Sequence, residues 1–257
     1  SYCFKVMDVY NPFTLKGKTI LVTGASSGIG RGIAITCSKM GAKVIINGRN
    51  VNKLNETASL MEAESFIIMP ADLTDGSSLT TLVSELPKLD GVVHCAGLGQ
   101  RIPCKDVVSG NVDDVMNVNF KAPVMLQAEI LRQKKLNKAS SIVFIASIAS
   151  WSPSLGNSIY SASKGAIVSY ANCLAVELAP RKIRVNCISP AMVWTDLVLA
   201  DGTDVEQLKE DEQTYPLKRY GQPEDIANLA VYMLSDASTW MTGSNVSITG
   251  GGHFVVR

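Results

Sequence analysis

The feature that most constrains the fold is a glycine-rich turn between an apolar strand pattern and an amphipathic helical pattern. Apolar residues at 19–22 lead into the turn at residues 22–30, and apolar side chains then recur at helical spacing as far as Gly41. Backbone N–H groups in such a turn can approach a pyrophosphate, and the helix N-terminus adds positive potential there. Three glycines alone also describe a tight turn without a ligand, so the phosphate interpretation depends on the rest of the chain.

Continuous apolar runs alternate with helical patterns along the remaining chain. We predict strands at 19–23, 43–47, 66–70, 91–95, 141–147, 184–189 and 245–249, and helices that include 50–61, 77–86, 112–135, 158–179 and 223–235. Apolar runs without polar alternation are typical of parallel strands that are covered on both faces. The sequence therefore predicts an α/β fold, a doubly wound (Rossmann) parallel sheet of about seven strands with helices on both faces.

The length of 257 residues favours a single domain over residues 1–257. Residues 1–18 form a predicted polar N-terminal arm. The polar and acidic segment 196–221 follows the sixth predicted strand, and we predict that it is a lid over the C-terminal ends of the strands.

Composition and charge argue against several classes of function. The net charge of +1 is far from the basic balance of nucleic-acid-binding domains, and no apolar run has membrane-spanning length. Six scattered cysteines form no Cys-x-x-Cys pair, and two histidines show no metal-ligand spacing. With no leader pattern among the first residues, we expect a cytoplasmic protein with reduced thiols and no metal site.

A second motif carries groups that can move a proton. Tyr160 and Lys164 lie four residues apart in a helical pattern, so they share one face of the helix. The pKa of a phenol is about 10. A nearby ammonium favours the phenolate, which lets a tyrosine exchange a proton near neutral pH. An isolated Tyr-x-x-x-Lys is more commonly a packed tyrosine beside a solvated lysine.

Together these motifs resemble those of the short-chain dehydrogenase/reductase family over nearly the whole chain. The glycine turn matches the family's cofactor motif, and Tyr160-x-x-x-Lys164 matches its catalytic motif. Ser147 falls where the family places its catalytic serine, and Asn119 falls where it has the asparagine of its proton relay. The resemblance implies an oxidoreductase that transfers a hydride between a nicotinamide and a ketone or secondary alcohol.

The resemblance also implies a role for each of these four residues. Tyr160 would pass a proton to or from the substrate oxygen, and Lys164 would lower the pKa of Tyr160 and hold the nicotinamide ribose. Ser147 would hydrogen-bond the substrate oxygen as charge develops on it. Asn119 would position a water that links Lys164 to solvent. A structural alternative stays open for Ser147 and Asn119, because serines are common around the first and a helical asparagine often bonds backbone.

The family pattern also implies the residues that contact the dinucleotide. They are Gly24, Ser26, Ser27, Gly28, Ile29, Gly30, Arg49, Asp72, Leu73, Ala96, Gly97, Pro190, Val193 and Thr195. Asp72 would bond the adenine ring, or it would cap the next helix. Arg49 follows the second strand, where an arginine pairs with the 2′-phosphate of NADP and a carboxylate would bond the ribose of NAD. This rule predicts NADP(H) over NAD(H), against the alternative of a solvated arginine.

The chain departs from the family pattern beside the predicted site. Cys95 stands where the family usually has an asparagine that ties neighbouring strands together, so we expect altered hydrogen bonding there. His94 precedes it, and we expect this imidazole to bond backbone and not to act as a base. Ala191 replaces a common glycine after Pro190, and residues 249–252 form a predicted strand-end turn where Asp-Gly-Gly is common.

The sequence says less about substrate and partners. Apolar residues that would line a pocket, or belong to the core, are Trp151, Met192, Trp194, Leu197, Val198 and Leu199. Basic residues at the end of the predicted helix 112–135 complement its dipole, or would dock an acyl carrier protein; they are Arg132, Lys134, Lys135 and Lys138.

The chain resembles 3-oxoacyl-acyl-carrier-protein reductases in general. A sugar, polyol or steroid dehydrogenase and a non-enzymatic dinucleotide-binding sensor remain alternatives. The family further implies a homotetramer.

Overall fold

Parallel strands run side by side through the computed structural model, which describes residues 10–62, 65–152, 154–199 and 204–252. The strands are β1 (Thr19–Val22), β2 (Lys43–Ile46), β3 (Phe66–Ile68), β4 (Leu89–His94), β5 (Leu136–Ile145), β6 (Arg184–Pro190) and β7 (Asn245–Ile248). In the described residues they form one seven-stranded sheet in the order β3-β2-β1-β4-β5-β6-β7. The predicted doubly wound sheet is thereby confirmed.

Helices connect the strands and cover both faces of the sheet. They are α1 (Gly28–Lys39), α2 (Val51–Ser59), α3 (Gly76–Glu85), α4 (Ser109–Met116), α5 (Ala122–Arg132), α6 (Ser158–Leu178), α7 (Asp196–Leu199), α8 (Val205–Glu212) and α9 (Pro223–Leu234). Alternate residues of one strand face opposite layers. Ile20 and Val22 pack with the cluster under α1 and α9, whereas Leu21 packs with the cluster under α3, α5 and α6.

Several predicted boundaries were wrong. The predicted helix 112–135 is two helices joined by a π-helical turn at Asn117–Lys121, and α5 ends at Arg132. Lys134 follows with a positive φ of 53°, so it does not continue the helix. The π-helical turn contains the buried Asn119, whose side chain bonds Leu98 and Ser163. Such contacts between segments that are distant in sequence do not show in the hydrophobic periodicity.

Strand ends also differ from the prediction. β3 stops at Ile68 and not at residue 70, so Asp72 lies in the loop four residues beyond the strand. β5 starts at Leu136, where it pairs with Leu89 of β4, and it ends at Ile145 before reaching Ser147. Pairing with a neighbour extends β5 through polar residues that carry no strand pattern of their own.

Individual residues of the predicted N-terminal arm and of the predicted lid are buried. Residues 1–9 of the predicted arm lie outside the described residues, but Leu15 is fully buried in the core. The predicted lid contains α7 and α8, with 200–203 outside the description. Its far end rests on the glycines after β7: a Cβ on Gly252 would overlap the ring of Tyr215. The predicted strand-end turn therefore packs against the predicted lid at Tyr215.

The missing asparagine after β4 does not separate the strands. The Thr23 hydroxyl accepts from the N–H groups of Cys95 and Ala96 at 3.1 and 3.3 Å and so joins the ends of β1 and β4. His94 stacks on Phe144 with ring centroids 4.5 Å apart. Its Nε2 lies 2.9 Å from Oε1 of Gln127, a side-chain partner where backbone was expected.

Burial of His94 makes stability depend on pH. Desolvation lowers the pKa of His94 to about 4, below the value of 6.5 for a free imidazole. Between these values the unfolded chain binds more protons at this site than the folded chain does, so stability falls as the pH falls from 6.5 to 4. We expect His94→Gln to remove about 2–3 kcal/mol of that pH dependence of the unfolding free energy, measured by urea denaturation. An unchanged slope in the variant would contradict this assignment.

Candidate active site

A cleft of about 1020 Å³ opens at the C-terminal ends of the strands. Every residue predicted to contact the dinucleotide lines it, from the turn after β1 to the segment after β6. Tyr160, Lys164 and Ser147 line it as well, whereas the side chain of Asn119 lies behind the wall. The fold therefore brings together groups that the sequence placed on separate elements.

The glycine turn has no room for side chains at its closest approaches. Gly24 has a φ of +64°, and a Cβ there would lie 2.8 Å from the backbone of Ala96. A Cβ on Gly30 would overlap the carbonyl of Gly24, and one on Gly28 would lie 3.1 Å from Thr195. The glycines thus allow the turn to pack against its own helix, the loop after β4 and the start of the lid.

The same turn presents hydrogen-bond donors to the cleft. Within the described part of the chain, no acceptor is recorded for the N–H groups of Ser26 and Ser27. The first N–H groups of α1, at Gly28 and Ile29, have no partner inside the helix. Unpaired donors at a helix N-terminus in a cleft fit the pyrophosphate of a dinucleotide.

Arg49 lies on the cleft wall just beyond β2. It makes no hydrogen bond or ion pair with another described residue. Asn47, at the strand end, donates from Nδ2 to the carbonyl of Met69 at 3.0 Å, so this side chain is already used inside the sheet. The guanidinium of Arg49 is therefore a cation at this edge of the cleft whose hydrogen-bond donors are not used by another described residue.

Asp72 does not cap the next helix, and its side chain bonds Thr74 in the loop after β3. Its Oδ1 accepts from the hydroxyl and the N–H of Thr74 at 2.6 and 2.9 Å. These bonds are the main reason that the pKa of Asp72 lies below its usual value, and the charge of Arg49 adds to them. The residue that caps α3 is Asp75, which accepts from the N–H of Ser78. Asp72 therefore shapes the loop and lines the cleft near Arg49.

Tyr160 and Lys164 converge as their spacing predicts. Lys164 Nζ lies 5.7 Å from the centroid of the Tyr160 ring. The same nitrogen donates to the carbonyl of Ile145 at 2.9 Å, and the Lys164 side chain is buried. This bond ties α6 to the end of β5, so the phenol and ammonium groups stand where the strand opens into the cleft.

Ser147 lies two residues beyond the end of β5, and its hydroxyl makes a local hydrogen bond. Its Oγ accepts from the N–H of Ala149 at 3.1 Å, which stabilises the short turn after the strand. Because that bond uses only an acceptor lone pair, the hydroxyl proton stays available for an oxygen in the cleft. The bond to Ala149 is therefore compatible with a hydrogen bond to a substrate oxygen, and the catalytic role that the family implies for Ser147 stays a prediction.

Asn119 connects elements and does not contact the cleft through its side chain. Oδ1 accepts from the N–H of Leu98 at 2.8 Å, while Nδ2 donates to the Leu98 carbonyl and to Ser163 Oγ at 2.9 and 3.1 Å. Both amide protons are thus taken by protein acceptors. These bonds fasten the loop after β4 to α6, and the proton-relay role that the family implies for Asn119 stays a prediction.

The cleft is also lined by residues that the sequence did not single out. They include Gln100, Asn157, Gln207, Asp211, Tyr215, Tyr220 and Gly252. The Tyr220 hydroxyl donates to Asp211, and Trp194 Nε1 donates to Glu212 at 2.9 Å. These bonds hold α8 over aromatic rings whose centroids are 5.1–5.2 Å apart. The tyrosines inside an otherwise polar lid were the available signal. Of the apolar candidates, Met192, Leu197 and Val198 line the cleft.

The start of the lid touches both halves of the cleft. Thr195 lies against Gly28, and Leu197 lies about 3.6 Å from the position of a Cβ on Gly99. Asp196 reaches Lys53 of α2, with 3.5 Å between the charged atoms. None of the helices in the described part of the chain combines the length and apolarity needed to cross a bilayer.

Comparison with known proteins agrees with this architecture. Residues 24–253 match the family model described as enoyl-(acyl carrier protein) reductase. The 3-oxoacyl-(acyl-carrier-protein) reductase of Rickettsia felis is 33% identical over 92% of this chain and 97% of its own length. The 2-dehydro-3-deoxy-D-gluconate 5-dehydrogenase of Dickeya dadantii is 32% identical over 95% of this chain and 98% of its own length.

Solved structures show the same fold. A putative gluconate dehydrogenase from Agrobacterium tumefaciens superposes with a TM-score of 0.87 and 25% identity, covering 96% of this chain and 100% of that one. A dehydrogenase/reductase from Sinorhizobium meliloti gives a TM-score of 0.86 and 30% identity, with 94% and 97% covered. With its fold, its motifs and these relatives in agreement, the chain belongs to the short-chain dehydrogenase/reductase family of NAD(P)-dependent oxidoreductases that act on CH–OH groups.

Proposed function

We propose that this protein is an NADP(H)-dependent enzyme that interconverts a ketone and a secondary alcohol. The observation that carries the proposal is the meeting of Tyr160, Lys164 and Ser147 in the cleft that also holds the unpaired N–H groups of the glycine turn. Proton-transfer groups and a phosphate-binding turn are both required for this reaction, and one cleft contains both.

The three side chains divide the proton chemistry among them. In the direction of reduction, Ser147 donates a hydrogen bond to the substrate carbonyl oxygen and fixes its position. Tyr160 gives its phenolic proton to that oxygen as negative charge develops on it. The ammonium of Lys164, 5.7 Å from the ring, stabilises the phenolate that remains. The bound nicotinamide supplies the reducing equivalent.

Arg49 supports NADP(H) as the preferred cofactor. Its guanidinium lies in the cleft without a partner among the described residues, at the edge where a ribose phosphate would lie. The strand end holds Asn47, engaged with Met69, and not a carboxylate that would bond a 2′-hydroxyl. A free arginine and a missing acid both favour the phosphorylated dinucleotide.

The substrate is proposed at the level of a class. A 3-oxoacyl thioester agrees with the name of the Rickettsia relative and with the apolar Met192, Leu197 and Val198. A sugar acid or polyol agrees with the name of the Dickeya relative and with the polar Asn157 and Gln207 on the same wall. Turnover of an acyl thioester and of hydroxylated ketones with NADPH separates the two, and tight NADPH binding without any turnover would favour a sensor.

The basic residues near position 135 do not support docking of an acyl carrier protein at that place. They surround the start of β5, whereas Ser147 follows its end. β5 pairs with β4 from Leu136 opposite Leu89 to Phe144 opposite His94, five steps of β4 that cover roughly 17 Å, so this surface lies at the end of the sheet opposite the cleft. Lys135 also donates to the carbonyls of Ser84 and Leu86, and Arg132 pairs with Glu129, so these charges serve local contacts.

The proposal includes a homotetramer that buries the outer faces of α5 and α6. Met125 on α5 and Val176 on α6 are exposed, with 42% and 78% of their surface accessible. Apolar side chains on neighbouring helices are the composition that an interface between copies requires.

The role of Tyr160 is tested by Tyr160→Phe. The variant lacks the transferable proton but keeps the ring, so kcat for ketone reduction should fall by about 10²–10⁴-fold while the Kd for NADPH changes less than about twofold. Steady-state kinetics and fluorescence titration measure the two effects. Tyr232→Phe, on α9 outside the cleft lining, is the matched control and should behave as the wild type. Comparable turnover in both variants would remove Tyr160 from the mechanism.

Cofactor choice is tested by Arg49→Asp. The substitution removes a phosphate partner and adds a carboxylate, so the ratio of kcat/KM for NADPH to that for NADH should fall by about 10–100-fold. Arg132→Asp makes the same change of charge at the other end of the sheet and should leave the ratio unaltered. If both variants keep the wild-type ratio, Arg49 has no part in recognising the dinucleotide.

A further inference from the structure

Two side chains behind the glycine turn hold its carbonyl groups. Thr57 Oγ1, on α2, donates to the carbonyl of Ala25 at 2.8 Å. Arg31 Nη2, on α1, donates to the carbonyl of Ser26 at 2.7 Å. The two side chains are joined, because Arg31 Nε donates to Thr57 Oγ1 at 3.0 Å. The one hydroxyl proton of Thr57 also lies within reach of the Lys53 carbonyl, at the longer distance of 3.1 Å. Because Thr57 is fully buried, no bulk water competes for that proton.

These bonds determine where the N–H groups of the turn point. In a trans peptide unit the C=O and N–H bonds point in opposite directions. The Ala25 carbonyl shares its unit with the N–H of Ser26, and the Ser26 carbonyl shares its unit with the N–H of Ser27. Holding both carbonyls against α1 and α2 therefore turns both N–H groups away from those side chains. Ser26 and Ser27 line the cleft, and no described residue accepts from their N–H groups.

Arg31 and Thr57 act from behind the turn. Both are described residues, and neither lines the cleft. The remaining contacts of the Arg31 guanidinium are Glu56 at 3.0 Å and the carbonyl of Lys53 at 3.4 Å. A guanidinium that lies outside the cleft lining and bonds a carboxylate and two carbonyls holds the turn from behind and does not contact a ligand in the cleft.

We infer that Arg31 and Thr57 are positioning residues for the dinucleotide pyrophosphate, which hold the N–H groups of Ser26 and Ser27 aimed into the cleft before the ligand arrives. The inference rests on the proposed function, because it takes a dinucleotide as the ligand. Donors fixed in advance cost less ordering on binding, so their loss appears as weaker affinity for the pyrophosphate part of the ligand. A purely structural link between α1 and α2 would lower stability without that selectivity.

The test compares two ligands on the Thr57→Val variant. Valine keeps the shape of threonine but cannot hold the Ala25 carbonyl. The Kd for NADPH should rise about tenfold, the equivalent of one buried hydrogen bond. The Kd for adenosine 2′-monophosphate, which has the adenine and 2′-phosphate but no pyrophosphate, should change less than about twofold. Isothermal titration calorimetry measures both, well below the unfolding temperature of each variant.

The chain offers matched controls for this experiment. Thr36→Val removes a bond of the same kind, because Thr36 Oγ1 donates to the Gly32 carbonyl at 2.8 Å within α1, and it should leave both affinities unchanged. Thr57→Ser keeps the hydroxyl and should restore NADPH binding. If Thr57→Val does not fold, Arg31→Met removes the bond to Ser26 at a partly exposed position and carries the same comparison.

The outcomes separate this inference from the proposal beneath it. A wild-type protein that binds neither NADPH nor NADH would overturn the proposed function. Wild-type binding together with an unchanged NADPH affinity in Thr57→Val and Arg31→Met would overturn only the positioning role. Equal weakening of NADPH and adenosine 2′-monophosphate would overturn it too, because a general loss of structure and not the pyrophosphate site would then explain the effect.

Discussion

The close approach of the glycine turn to the loop after β4 is the constraint on which the rest of the site depends. β1 and β4 are neighbours in the sheet although β2 and β3 lie between them in sequence, so the strand order reverses here and a crevice opens at the strand ends. Gly24 meets the backbone of Ala96, and the Thr23 hydroxyl joins the two strand ends. Without a glycine at position 24 the two walls of the crevice would be forced apart.

A hydrogen bond between α6 and β5 fixes Tyr160, Lys164 and Ser147 relative to that crevice. The Lys164 ammonium donates to the carbonyl of Ile145, the last residue of β5, and this bond sets the height of α6 along the sheet. Tyr160 lies one helical turn earlier and therefore projects beyond the strand end. Ser147 comes from the strand side of the same junction. Tyr160, Lys164 and Ser147, to which we assign proton transfer in the proposed function, are thus placed by a strand end and a long helix, which gives the precision that such chemistry needs.

Local patterns were sufficient where a short segment determines its own structure. Parallel strands followed from continuous apolar runs, and the shared face of Tyr160 and Lys164 followed from helical spacing. The π-helical turn at Asn117–Lys121 could not be predicted in this way, because the side chain of Asn119 within it bonds Leu98 and Ser163, which are distant in sequence. The early start of β5 depends in the same way on its pairing with Leu89 of β4, and the position of Tyr215 depends on its contact with Gly252. Neither contact can be predicted from the local sequence.

Residues 195–197 connect the glycine turn and the loop after β4 through packing more than through charge. The pair between Lys53 and Asp196 is exposed on both sides and 3.5 Å long, so it contributes about 0–1 kcal/mol. Thr195 against Gly28 and Leu197 near Gly99 are contacts that close packing makes sensitive to small shifts. Residues 195–197 therefore pack against both the glycine turn and the loop after β4, so the same contacts fix these two walls of the cleft and the start of the segment 196–221.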